Sequence, residues 1–191
     1  MLVRGYCGAM TTLKGKNVAV LAMDGFEESE LTEPIKSLQN GGAGVRIFSD
    51  KRGKIQGFRH HDKSITVEAD GTFDELDSND YDAVVVPGGA LNADALRMVP
   101  QARDFIRKMN AARKPMAVIC HGPWLLASSG VARGRKLTSF PTIQDDLRNA
   151  GATWIDQEVV VDDNLVTSRK PDDLPAFNRE LGNLLQAEVS V

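Results

Sequence analysis

The sequence predicts one α/β domain, a mostly parallel sheet with helices on both faces. Three observations carry this expectation. Short apolar runs alternate along the chain with apolar stripes of helical spacing. The runs are continuous rather than alternating with polar residues, which suits strands covered on both faces. And 191 residues, 42% hydrophobic and 26% charged, are enough for one core of ordinary composition. A chain of this length buries roughly 70% of its unfolded surface, so it needs no staples.

The elements follow in order. Asn17-Val-Ala-Val-Leu-Ala-Met23 reads as a buried strand closed by Asp24-Gly25. Leu31, Pro34, Ile35 and Leu38 then share one helical stripe. Glu27, Glu28 and Glu30 stand at its start, where the helix dipole favours negative charge, and Gly41-Gly42 ends it. Gly44–Ser49 is the next strand, so the chain opens β-α-β. Residues 50–82 are less regular: Ile55, Ile65 and Val67 suggest short strands of a hairpin or crossover, and the acidic stretch Asp70–Asp82 a solvated connection. Asp82-Ala-Val-Val-Val-Pro87 is a buried strand ended by Gly88-Gly89. Ala102, Phe105, Ile106 and Met109 form a second helical stripe. Lys114–Ile119 is another strand, and Gly122-Pro123 opens an apolar helix that stops near Gly130. A helix near 143–150, a hairpin through Asp162-Asp163-Asn164, and a final helix starting at Asp172 complete the chain.

Several function classes are excluded early. A net charge of −3 is not the footprint of a nucleic-acid binder, and the basic knot Arg133-Gly-Arg-Lys136 reads as a solvated loop. No apolar run approaches the ~20 residues of a membrane helix. Residues 1–14 lack the apolar stretch of a signal peptide and read as a flexible extension to a single domain over 15–191. The two cysteines, Cys7 and Cys120, cannot build a disulfide framework and fit a reducing cytoplasm. No cysteine–histidine spacing suggests a metal site, and no glycine-rich loop suggests a nucleotide, so neither metal nor cofactor is expected.

Chemistry concentrates at Cys120-His121-Gly122. A cysteine between a buried strand and a helix has the layout of a nucleophile elbow, whose sharp turn exposes the side chain. Free N–H groups and the dipole at the helix start favour thiolate, so a pKa below the free value of about 8.5 is expected. The plain alternative is a buried core cysteine. His121 offers a backbone N–H to an oxyanion, and its ring is either a general base or structural. Gly88-Gly89 either presents donors to a ligand or is an ordinary turn; the first gains weight only if its strand lies beside that of Cys120. Glu30 points to the same rim, but from sequence alone a first-turn acid explains it. His60 and His61 fall in an expected surface loop. No histidine follows His121, which excludes cysteine enzymes that draw their base from far downstream.

The sequence resembles the PfpI-type intracellular proteases of the ThiJ/PfpI superfamily over about residues 16–186. The resemblance rests on Asp24-Gly-Phe-Glu-Glu-Ser-Glu-Leu31, Val86-Pro-Gly-Gly89, Ala117-Val-Ile-Cys-His-Gly-Pro123, Val159-Val-Val-Asp162 and Ser168-Arg169. It implies a flavodoxin-like three-layer sandwich with Cys120 as nucleophile, Glu30 as the carboxyl beside it, and backbone donors from Gly89 and His121. It also implies His121 as base, oriented by a carboxylate from a neighbouring subunit. The matching segment makes Asp94 that carboxylate, where peptidase-type relatives carry Glu. Phe140 stands where some relatives have Tyr. The expected activity is hydrolysis of small carbonyl-derived adducts or peptides by a homo-oligomer, dimer or hexamer. The alternative is a redox sensor or chaperone-like stress protein whose Cys120 is oxidised to sulfenic or sulfinic acid.

Overall fold

A computed structural model of the chain describes residues 12–187. Cys7 and most of the expected N-terminal extension lie outside the described residues. Leu13 does not behave as part of a free extension. It is buried, and its N–H donates to the Gly41 carbonyl at 2.6 Å.

β1 (Asn17–Leu21), β2 (Phe26–Glu27), α1 (Glu28–Asn40) and β3 (Gly44–Ser49) open the chain. β4 (Gly53–Arg59), β5 (Asp62–Ala69) and β6 (Gly71–Thr72) follow. β7 (Ala83–Val86), α2 (Ala90–Leu96), α3 (Pro100–Ala111), β8 (Met116–Ile119) and α4 (Pro123–Ser129) build the centre. β9 (Lys136–Leu137), α5 (Gln144–Asn149), β10 (Thr153–Trp154), β11 (Val159–Asp162), β12 (Leu165–Ser168) and α6 (Leu174–Ala187) close it.

The main sheet has the order β11-β12-β8-β7-β1-β3-β6. All its pairs are parallel except β11–β12, the expected hairpin. The strand period of two divides each strand between two cores. Ala19 and Leu21 pack with Phe105, Ile106, Met109 and Leu125 of α3 and α4. Val18 and Val20 pack with Leu31, Leu38, Phe177 and Leu181 of α1 and α6. The expected α/β sandwich of three layers is present. Among the described residues no helix is long and apolar enough to cross a membrane.

The structure chooses the hairpin of the two alternatives for Ile55, Ile65 and Val67, and departs from the sequence expectations elsewhere. Residues 53–69 form a long hairpin that joins β2 in a separate three-stranded sheet. The acidic connection is anchored rather than merely solvated: Phe73 and Tyr81 are buried, and Tyr81 meets Phe48 edge-on at 5.6 Å. Arg135 of the basic knot is likewise no solvated residue. It donates to Asp162, Asn110 and Asn164, tying β9 to the β11–β12 turn. Finally, α2 has too short an apolar stripe to stand out in sequence, and the last helix begins at Leu174, after a 3-10 turn over Pro171–Asp173.

Candidate active site

The site forms where the carboxyl ends of β1, β7 and β8 come together, beside the point where strand order reverses. β7 lies next to β8 in parallel register, so Gly88-Gly89 is set beside Cys120. At Gly88 the backbone passes between two acids. An added Cβ there would run into the Glu30 carboxyl and come within 2.5 Å of the Cys120 Cβ. Gly89 has φ +87°, a left-handed value that glycine adopts without strain. Its turn is held by Asn92, a buried residue that sequence reasoning missed. Asn92 donates to the Pro87 and Gly88 carbonyls at 3.1 and 2.9 Å and accepts from the Met23 N–H at 2.7 Å. The available signal was a polar residue inside the short stripe Asn92, Ala93, Leu96.

Cys120 has φ +63°, a strained value for a residue with a Cβ. The turn is held from both sides. The Cys120 N–H donates to the Ser168 carbonyl at 3.0 Å, and its own carbonyl accepts from the Phe140 N–H at 2.8 Å. The backbone N–H groups of Gly89 and His121 lie near the sulfur and favour its charged form. His121 Nδ1 lies 3.2 Å from Sγ. Glu30 is fully buried in α1 and accepts the Gly88 N–H at 2.9 Å, while its other oxygen has no hydrogen-bond partner. It is a site carboxyl, not merely a first-turn acid stabilised by a dipole.

Electrostatics at the sulfur run opposite to the sequence expectation. Burial pushes the Cys120 thiol up, and negative charge on Glu30 adds to this. The N–H groups of Gly89 and His121 pull the other way without prevailing. Helix α4 has only seven residues, so its dipole is a small counterweight to lost hydration. Burial, with the charge of Glu27, pushes Glu30 up to about 8. The two acids interact and titrate as a pair. Burial also lowers the His121 pKa, keeping its ring neutral and able to accept a proton.

Above the sulfur opens a cavity of about 870 Å³. Phe58, Leu91, Phe140 and Pro171 supply apolar wall, and Lys170 and Asp172 also line the cavity. His60 and His61, expected on a solvated surface, line the same cavity from the tip of the β4–β5 hairpin. The tip is tied down by the N–H of His60, which donates to Glu27 at 3.0 Å, and by Arg59, which donates twice to Glu28 at 3.0 and 2.9 Å. Asp94 is not brought into the site by its own chain. It is exposed on α2, and the cavity is lined without it. Among the described residues, no group of three histidine, cysteine or acidic side chains is arranged to hold a metal ion.

Comparison with known proteins gives a consistent result. The sequence pattern of the DJ-1/PfpI family matches residues 16–184. Deglycase TK1284 of Thermococcus kodakarensis is 47% identical over 169 residues, 88% of this chain and 99% of that protein. Protein/nucleic acid deglycase 2 of Escherichia coli is 46% identical, over 90% of this chain and 99% of the relative. Among solved structures, Drosophila melanogaster DJ-1beta superposes with a TM-score of 0.82 at 28% identity, covering 91% of this chain and 92% of the other.

Proposed function

The chain belongs to the DJ-1/PfpI family, and on that premise we propose that it is a cysteine-dependent hydrolase acting through Cys120 on carbonyl adducts or peptides. One observation carries the proposal. Cys120 is held at a left-handed φ with an imidazole nitrogen 3.2 Å from its sulfur and the backbone N–H groups of Gly89 and His121 nearby. That is the arrangement of a nucleophile beside its base and its oxyanion donors.

Because the thiol is buried and holds its proton, attack and deprotonation belong to one step. Sγ adds to the substrate carbon as its proton passes to His121 Nδ1. The N–H groups of Gly89 and His121 receive the negative oxygen of an attacked carbonyl. The leaving amine takes the proton from His121, and water then releases the fragment held on sulfur. In a carbonyl adduct the same exchange displaces the amine that carries the fragment. Glu30, mostly protonated below its pKa of about 8, keeps negative charge away from the forming thiolate. Asp94 of a second copy orients His121 in a cytoplasmic homo-oligomer, a dimer or hexamer. The deglycase names of the relatives put carbonyl adducts first. The cavity of about 870 Å³ exceeds a three-carbon fragment, which leaves room for the amine carrier.

The test compares wild type with Cys120→Ser on methylglyoxal-treated peptides and on unmodified peptides. The expected loss is about a thousandfold or more; activity that survives in the Ser variant overturns the proposal. Intact mass after mild peroxide tests the redox alternative. Cys120 lines the open cavity and is within reach of peroxide, so oxidation of its sulfur with hydrolysis absent would favour that alternative.

A further inference from the structure

We infer that Phe140 is a positioning residue for this chemistry, its ring holding the His121 imidazole with Nδ1 on the Cys120 sulfur. The inference rests on the proposed role of His121 and adds a residue to it. A histidine ring next to a cavity of about 870 Å³ has two torsions that can swing it away from the sulfur. Among the described residues, the only hydrogen-bond contact of the ring is with Cys120 Sγ at 3.2 Å. Among the described residues no carboxylate holds its other nitrogen. What fixes the ring plane is aromatic. Phe140 stacks on it with centroids 4.8 Å apart and planes at 23°. Trp124 meets it edge-on at 5.5 Å and 63°.

Both walls are themselves anchored. Trp124 Nε1 donates to Asp146 at 2.8 Å, and the Arg97 guanidinium lies over the indole at 5.2 Å. Phe140 is fixed to the nucleophile, because its N–H donates to the Cys120 carbonyl at 2.8 Å. The stacking ring and the sulfur therefore share one backbone frame, and a ring pressed against Phe140 stays in register with Sγ. The stack also covers one face of the imidazole from water, consistent with the burial that keeps it neutral. Displacing a base by an ångström costs up to ~100-fold in rate.

The test uses the full chain as wild type, Phe140→Leu and Phe140→Tyr, with three readouts. In aromatic proton–carbon NMR spectra there are three histidines, and His121→Gln assigns the signal of interest. Wild type should show that signal moved upfield by the Phe140 ring, Leu should return it toward the position of a free histidine, and Tyr should keep it. In turnover, Leu should lower kcat roughly ten- to a hundredfold with KM within about twofold, and Tyr should restore kcat. The iodoacetamide rate of Cys120 should fall in Leu and recover in Tyr, with no substrate required. If wild type hydrolyses nothing, the proposed function fails, while the NMR and alkylation results still decide the role of Phe140. A folded Leu variant with unchanged or faster alkylation, or with KM raised and kcat intact, overturns the inference. Should Leu not fold, the wild-type spectrum decides: a His121 signal without the upfield shift overturns it.

Discussion

Cys120 and Glu30 are two acids that meet across Gly88, and neither loses its proton independently of the other. Burial raises both, and for Glu30 this has a definite sign in stability. Its folded pKa of about 8 exceeds the ordinary glutamate value of 4.5, so the native state binds the proton more tightly than the unfolded chain. The contribution is complete below 4.5 and is lost as pH rises toward about 8. His121, lowered by burial, acts in the opposite sense, losing its contribution as pH falls below the ordinary histidine range. Glu30→Gln isolates the first effect. Urea melts from pH 4.5 to 8.5 should show wild-type stability declining relative to the Gln variant; parallel curves would mean that folding does not raise the Glu30 pKa. Cys120 itself was readable from strand, Cys-His-Gly-Pro and helix, because that grammar is local. The state of its proton was not, because desolvation is set by groups distant in sequence.

At the scale of elements, the site depends on α2, which the apolar pattern did not announce. Asn92 on this short helix joins the end of β1 to the turn after β7 through three hydrogen bonds. Asn92→Ala removes all three and leaves the Met23 N–H and two carbonyls to find other partners. A loss of about 2 kcal/mol in a urea melt is expected, together with reduced kcat, since the Gly88-Gly89 turn loses its support. A variant within about 0.5 kcal/mol of wild type would show that water replaces the side chain without cost. The β4–β5 hairpin teaches the same lesson. Its sequence showed strands near Ile55, Ile65 and Val67, but not where the tip would land. Glu27 and Glu28 at the start of α1 bring His60 and His61 over the cavity.

The whole molecule raises the question of what completes His121. Leu91, Asp94 and Met98 are exposed along α2 and the turn that follows, and Leu91 and Met98 are 65% and 69% accessible. Two large apolar side chains flanking an acid, next to the cavity, are suited to contact with a second copy. If Asp94 serves a neighbouring subunit, sedimentation should give a dimer or larger assembly, and Asp94→Asn should lower kcat by about tenfold or more. Mixing Asp94→Asn with Cys120→Ser should then recover activity, because each chain supplies what the other lacks. A strictly monomeric protein, or mixtures that stay inactive, removes Asp94 from the mechanism.

The layered fold, the strand that carries Cys120 and the membership of a family all follow from the linear pattern of apolar runs and short motifs. Those depend on neighbours within a few residues, and one chain displays them. The roles of Glu30, Asn92, His60 and His61 depended on which strand ends were brought together. Glu30 reads as a first-turn acid until β7 is placed beside β1 and β8, where it becomes a buried carboxyl facing a thiol. A stripe in sequence reports which face of an element is apolar. It does not report how much water a polar atom loses when that face is covered, and this loss sets the protonation of the sulfur, the carboxyl and the imidazole.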